Sequence, residues 1–157
     1  MAGGMRNISQ ITEYLFVSAW PEASHVEYLL ALNIRLILSM HWLRPAKELS
    51  QPPLKLLWLP TMDSPLTPIP IGVLGRGVEA ALPVIRSGGA VLVHCHYGIH
   101  RSVAMASCIL IGMGFTAGEA MGLVKEKRPA ADPYIGYIQK RIIRFEISWD
   151  HHPSGSG

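Results

Sequence analysis

The stretch AVLVHCHYGIHRSVAM, residues 90–105, decides how this chain is read. Its first six residues, AVLVHC, make a nearly continuous apolar run, the pattern of a strand covered on both faces. From Ser102 the pattern becomes helical up to Met113, and Gly114 is a natural C-terminal stop. Between strand and helix lies HCHYGIHRS, residues 94–102, which crowds a cysteine, a glycine, an arginine and a serine among three histidines. Three readings compete for it: a metal site, a packed turn, or a pocket for an anion. Location narrows the choice, because open α/β sheets bind ligands outside the carboxyl ends of their strands.

Working outward, EYLFVSA (13–19) reads as an early strand, and Ser24 with Glu27 as a capping box opening a helix that ends near Asn33. IRLILSM (34–40) and KLLWLP (55–60) repeat the buried-strand pattern. TMDSPLTPIP (61–70) holds three prolines and excludes regular structure. A helix follows over about 71–86, despite Gly75, Gly77 and Pro83. Thr116 and Glu119 form a capping box for a helix to about Lys127, and Asp132-Pro133 reads as the cap and first turn of a last helix reaching Trp149. Strands alternating with helices predict a single α/β domain over residues 1–150, a central, mostly parallel sheet flanked by helices. Residues 151–157 read as a polar tail.

Composition sets outer limits. The 157 residues allow one domain with a real core. Fourteen Lys and Arg against eleven Asp and Glu leave +3, a mild surplus that suits an acidic or phosphorylated partner but lacks the basic stripe of a nucleic-acid binder. Cys95 and Cys108 make no disulfide framework, which points to a reducing cytoplasm. No signal peptide is expected, and the charge-free run 102–118, broken by Gly112 and Gly114, reads as a buried helix rather than a membrane span.

Chemistry then favours the anion pocket. Gly98 permits a tight turn, so the N–H groups from His96 through Tyr97, Gly98, Ile99 and His100 to Arg101 can point inward as a nest. The helix start adds its positive dipole end, and the Arg101 fork matches two phosphate oxygens. The same field favours thiolate over thiol at Cys95, so loop and nucleophile belong together. The implied reaction is attack by Cys95 on phosphorus and hydrolysis of the resulting phosphocysteine. A metal site fits poorly: strand alternation turns His94 away from His96, and Arg101 would repel a cation.

His94, Cys95, Gly98, Arg101 and Ser102 match the pattern His-Cys-x-x-Gly-x-x-Arg-Ser, and here the chain resembles the cysteine-dependent protein phosphatases of the small, atypical dual-specificity type. ISQITEYLFVSA (8–19) and VKEKRP (124–129) with PYIGYI (133–138) extend the resemblance over most of the chain, with Tyr134 standing where the family often has Asn. The resemblance implies Cys95 as nucleophile, Arg101 on the phosphoryl oxygens, Ser102 assisting thiolate departure, and His94 bracing the loop and helping keep Cys95 ionised. It implies a phosphorylated protein or peptide substrate, a phosphate product and no cofactor. Related phosphatases also act on phosphoinositides and RNA 5′-phosphates. A non-catalytic phosphate-binding module and a rhodanese-like sulfur transferase are the readings from other classes.

A departing alkoxide or phenolate needs a proton. Asp63 sits on the proline-rich loop, 32 residues before Cys95, in a Met-Asp-Ser-Pro context that resembles the family's acid loop; an Asp stabilising a turn is the plainer reading. Asp132 is the rival, in an Asp-Pro-Tyr similar to the acid of low-molecular-weight phosphatases, although capping a helix explains it. His96 and His100 read as pocket wall or as solvated side chains, and Tyr97 as a substrate flank or a packing residue. Cys108, about 9 Å along the helix from Ser102, reads as a core residue rather than a resolving thiol. Gly112-Met-Gly114 lacks the third glycine of a nucleotide fingerprint. Lys125, Lys127 and Arg128 read as a solvated basic face.

Overall fold

A computed structural model describes residues 4–151; the polar tail from 152 onward lies outside them, as do the first three residues. The apolar runs form strands. The sheet has five, in the order β1-β2-β5-β3-β4, with β1 Ile8–Thr12, β2 Leu15–Ser18, β3 Ile34–Ser39, β4 Lys55–Trp58 and β5 Ala90–His94. All neighbours are parallel except β1 and β2. The expected single strand over 13–19 is therefore the second arm of a hairpin. Its turn at Glu13 and Tyr14 carries no glycine or proline, and Thr12 Oγ1 accepts the Tyr14 N–H at 3.1 Å.

Alternation sorts the strand side chains. Leu15, Val17, Leu36, Leu38, Val91 and Val93 face the helices α2 (Ile71–Arg86), α3 (Arg101–Gly112), α4 (Ala117–Lys127) and α5 (Gly136–Asp150). Phe16, Ile37 and Leu92 face the short α1 (Val26–Ala31) on the other side. α3 is buried from Arg101 to Ile111, which makes it the hub of the helical layer. Gly114 ends it at φ +108°, where Phe115 N–H returns to Leu110 O. Among the described residues no helix is long and apolar enough to cross a membrane.

Three helix starts repay comparison with the sequence. Thr116 and Glu119 make the expected capping box. Ser24 does not cap: the box pairs Glu22 with His25 and opens a single 3-10 turn before α1. Asp132 does not cap α5 either. Its Oδ1 accepts the N–H groups of Tyr134 and Ile135, closing a separate turn, and the helix begins at Gly136.

Register places the site. Ser18, His94, Ser39 and Trp58 stand side by side at the carboxyl ends of β2, β5, β3 and β4. The loops that leave these four residues meet above one edge of the sheet.

Candidate active site

The β5–α3 loop is shaped by what happens to its carbonyls. Trp20 N–H donates to His96 O (3.3 Å), Asp132 N–H to Ile99 O (3.0 Å) and Ala104 N–H to His100 O (2.9 Å). Arg128 takes the two between, with Nε on Gly98 O (2.7 Å) and Nη2 on Tyr97 O (3.2 Å). With the carbonyls held outward, the N–H groups face in, and that of Gly98 donates to Cys95 Sγ at 3.2 Å. Gly98 is indispensable to this path. Its φ is +70°, and a Cβ there would stand 2.5 Å from Arg128 Nη2 and 2.8 Å from Ser18 O.

Cys95 lies at the floor of the loop, buried, with Ser102 Oγ 3.1 Å from its sulfur. Arg101 opens α3 and is also buried; its Nη1 donates to Thr61 O (2.7 Å) and Met40 O (3.2 Å), while Nε has no partner. Those two carbonyls belong to the loops after β4 and β3, so Arg101 ties three loops together. His94 is wholly buried below, its Nδ1 3.4 Å from Cys95 O and its ring edge-on to Trp20. Burial pushes its pKa down to about 4; the hydrogen bond to the Cys95 carbonyl opposes that shift, and the charges of His41 and Arg101 add to it.

Asp63 reaches the loop from the proline-rich segment. Its Oδ2 accepts from His100 Nδ1 at 2.9 Å and its Oδ1 from the Tyr137 hydroxyl of α5. Burial pulls this carboxyl up, but hydrogen bonds from Tyr137 and His100 and the nearby positive charges outweigh it, and the net shift is downward. His96 turns the other way. Leu43 N–H occupies His41 Nδ1, so His41 Nε2 carries the ring proton of the neutral form and donates to His96 Nδ1 at 3.2 Å. The three histidines thus point to three different places: under the loop, toward His41, and toward Asp63.

A family model for the dual specificity phosphatase catalytic domain matches residues 15–147. The chain belongs to this family. It is 32% identical over 151 residues to Dual specificity protein phosphatase 1B of Arabidopsis thaliana, covering 92% of this chain and 85% of that protein. Tyrosine-protein phosphatase yvh1 of Schizosaccharomyces pombe is 26% identical over 146 residues, and there the match spans 92% of this chain but 43% of the relative. The crystal structure of human DUSP28 has the same fold, with a TM-score of 0.81 at 24% identity over 90% of this chain and 97% of that one.

The phosphatase also holds a residue the sequence misplaced. Arg128 is no solvated cation: it is buried at 3% exposure, and besides the loop carbonyls it donates to Ser9 Oγ (3.0 Å) and Asn7 Oδ1. Of its neighbours, Lys125 donates to Pro129 O and Ala131 O, while Lys127 is exposed. Cys108 is fully buried in the helical core, and burial pushes its thiol well up. Asp132, the rival acid, spends its carboxylate on backbone N–H groups.

Two outcomes follow from this geometry. Arg128→Ala strips the donors from the carbonyls of Tyr97 and Gly98 and should destabilise the fold by at least about 1.5–3 kcal/mol, the range for hydrogen bonds to a charged group, read from the urea midpoint. His94 gives a pH signature. Its folded pKa is depressed from 6.5 to about 4, so on acidification the unfolded chain takes up a proton that the folded chain refuses. Unfolding free energy should fall between those values, by roughly 3 kcal/mol for this group, and His94→Gln should flatten that part of the stability–pH curve.

Proposed function

We propose that the chain hydrolyses phosphate monoesters on protein side chains, phosphotyrosine foremost and phosphoserine or phosphothreonine with it, through a phosphocysteine at Cys95. One observation carries the reading: a buried thiol that receives the Gly98 N–H and lies against the Ser102 hydroxyl, within a loop whose carbonyls are all turned away. A dianion seated in that loop meets the inward N–H groups of His96 to Arg101, the N-terminal end of α3, and the unpartnered Nε of buried Arg101. Its phosphorus then stands directly before the sulfur.

The first step forms the S–P bond and breaks the P–O ester bond, whose electron pair leaves on oxygen. Asp63, at the rim of the loop through His100, supplies the proton to that oxygen. In the second step water attacks the phosphocysteine, Asp63 takes the proton of the water, and the P–S pair returns to Cys95 with the Ser102 hydroxyl donating to the departing thiolate. His94 braces the floor as a neutral ring. Around the mouth, Trp42, Leu43, Met62 and Tyr97 are exposed on the loops after β3, β4 and β5, an apolar surround suited to a phenyl phosphate.

Cys95→Ser should still bind a phosphotyrosine peptide while turnover drops to background; a rate equal to wild type would end the phosphocysteine route. Asp63→Asn should slow release of phenol from phenyl phosphate by about 10²–10⁴-fold, and far less for nitrophenol, which leaves without help. Rates on phosphopeptides, phosphoinositides and 5′-phosphorylated RNA decide the substrate class. Preference for lipid or RNA would overturn the protein assignment.

A further inference from the structure

Asp63 must carry a proton to protonate a leaving group, yet its surroundings favour the carboxylate. The conflict is resolved by its two partners. Tyr137 has one hydroxyl proton and gives it to Oδ1. His100 Nδ1 stands 2.9 Å from Oδ2, an atom that only accepts, so Nδ1 carries a proton whatever the charge of the ring. A neutral ring could not release that proton without becoming an imidazolate. An imidazolium can.

We propose that His100 is a positioning residue that holds Asp63 at the loop and, as an imidazolium, supplies the proton that Asp63 passes to the leaving group. The inference rests on the reading of Asp63 as the acid. In the transfer the Nδ1–H bond breaks, its electron pair stays on the ring, and the proton bonds to Oδ2, leaving a neutral imidazole protonated at Nε2. As the P–O bond opens, that proton goes to the departing oxygen and Asp63 is again a carboxylate. The proton that Asp63 takes from the attacking water in the second step returns through Oδ2 to Nδ1 and restores the imidazolium. The charged and titratable groups facing the pair are Tyr137 from α5, Arg101 at the head of α3 and Asp132 from the turn before α5. Burial and the Asp63 carboxylate push Tyr137 up to about 12, so its phenol keeps its proton throughout the working range.

His100→Asn keeps an N–H donor for Asp63 but removes the titratable ring. For wild type, the rate on phenyl phosphate should show an alkaline limb, declining as the ring loses its charge. In His100→Asn that limb should vanish, and the rate at the acid end should fall about tenfold or more, with nitrophenyl phosphate changed less than about twofold. Tyr137→Phe should lower the phenyl phosphate rate and keep the limb. Competitive inhibition by inorganic phosphate, still measurable in both variants, shows the loop intact. An unaltered pH limb and unaltered leaving-group dependence in His100→Asn would overturn the role of His100. If Asp63→Asn itself showed no leaving-group dependence, the acid assignment would fall first, and the two failures are told apart by that variant.

Discussion

A peptide unit that offers its N–H to an anion must satisfy its C=O on the opposite side, and the β5–α3 loop does this five times in succession. The partners come from four places in the chain: Trp20 after β2, Arg128 at the end of α4, Asp132 before α5, and Ala104 within α3. Arg128 serves two adjacent carbonyls with one rigid guanidinium, which fixes their relative direction as separate donors could not. The left-handed turn at Gly98 lies under that guanidinium, so a side chain there would collide with the very group that holds the loop. Turn and clamp make one constraint.

The rest of the fold supplies that constraint with fixed ends. Strand register sets Ser18, His94, Ser39 and Trp58 in a row, and each following loop inherits its starting point from a buried strand end. α3 is anchored by burial along its first eleven residues, so Arg101 and Ser102 leave a rigid helix rather than a flexible loop. Because Arg101 bonds the carbonyls of both Met40 and Thr61, the acid-bearing segment is tied to the head of α3 even though its prolines exclude regular structure. Asp63 lies two residues past that tie.

Much of this could be read from the chain, and the exceptions have physical reasons. Buried parallel strands and a helix over 71–86 show themselves through apolar runs bounded by proline and glycine, and α2 has those limits. The β1–β2 turn did not, because Glu13 and Tyr14 belong to no turn signature and the Thr12 side chain does the work a glycine would announce. Cys95, Gly98, Arg101 and Ser102 were legible because one loop supplies them at fixed spacing. Arg128 was not: its partners at Ser9 and Asn7 lie 119 and 121 residues away, and no local pattern distinguishes a buried arginine from an exposed one. Likewise Asp63 could be placed by its loop, but its contacts with His100 and Tyr137, 37 and 74 residues distant, exist only once the sheet edge is assembled.

The two buried guanidiniums explain why the site suits a dianion and not merely a polar group. Arg128 is satisfied by backbone carbonyls, a serine hydroxyl and an asparagine oxygen, and Arg101 by two carbonyls; their hydrogen bonds go to neutral oxygens, not to a carboxylate. Neutral acceptors solvate a cation without cancelling its charge, whereas an ion pair would repay desolvation by neutralising the field. The stability spent on burying both cations therefore persists as positive potential around Cys95, fixed before any substrate arrives. That potential points at the sulfur from two sides, since Arg128 holds the outer wall of the loop and Arg101 closes its end. The Asp63 carboxylate hydrogen-bonds His100 and Tyr137 rather than either arginine, so the proton donor has partners of its own and leaves both guanidiniums to the anion site.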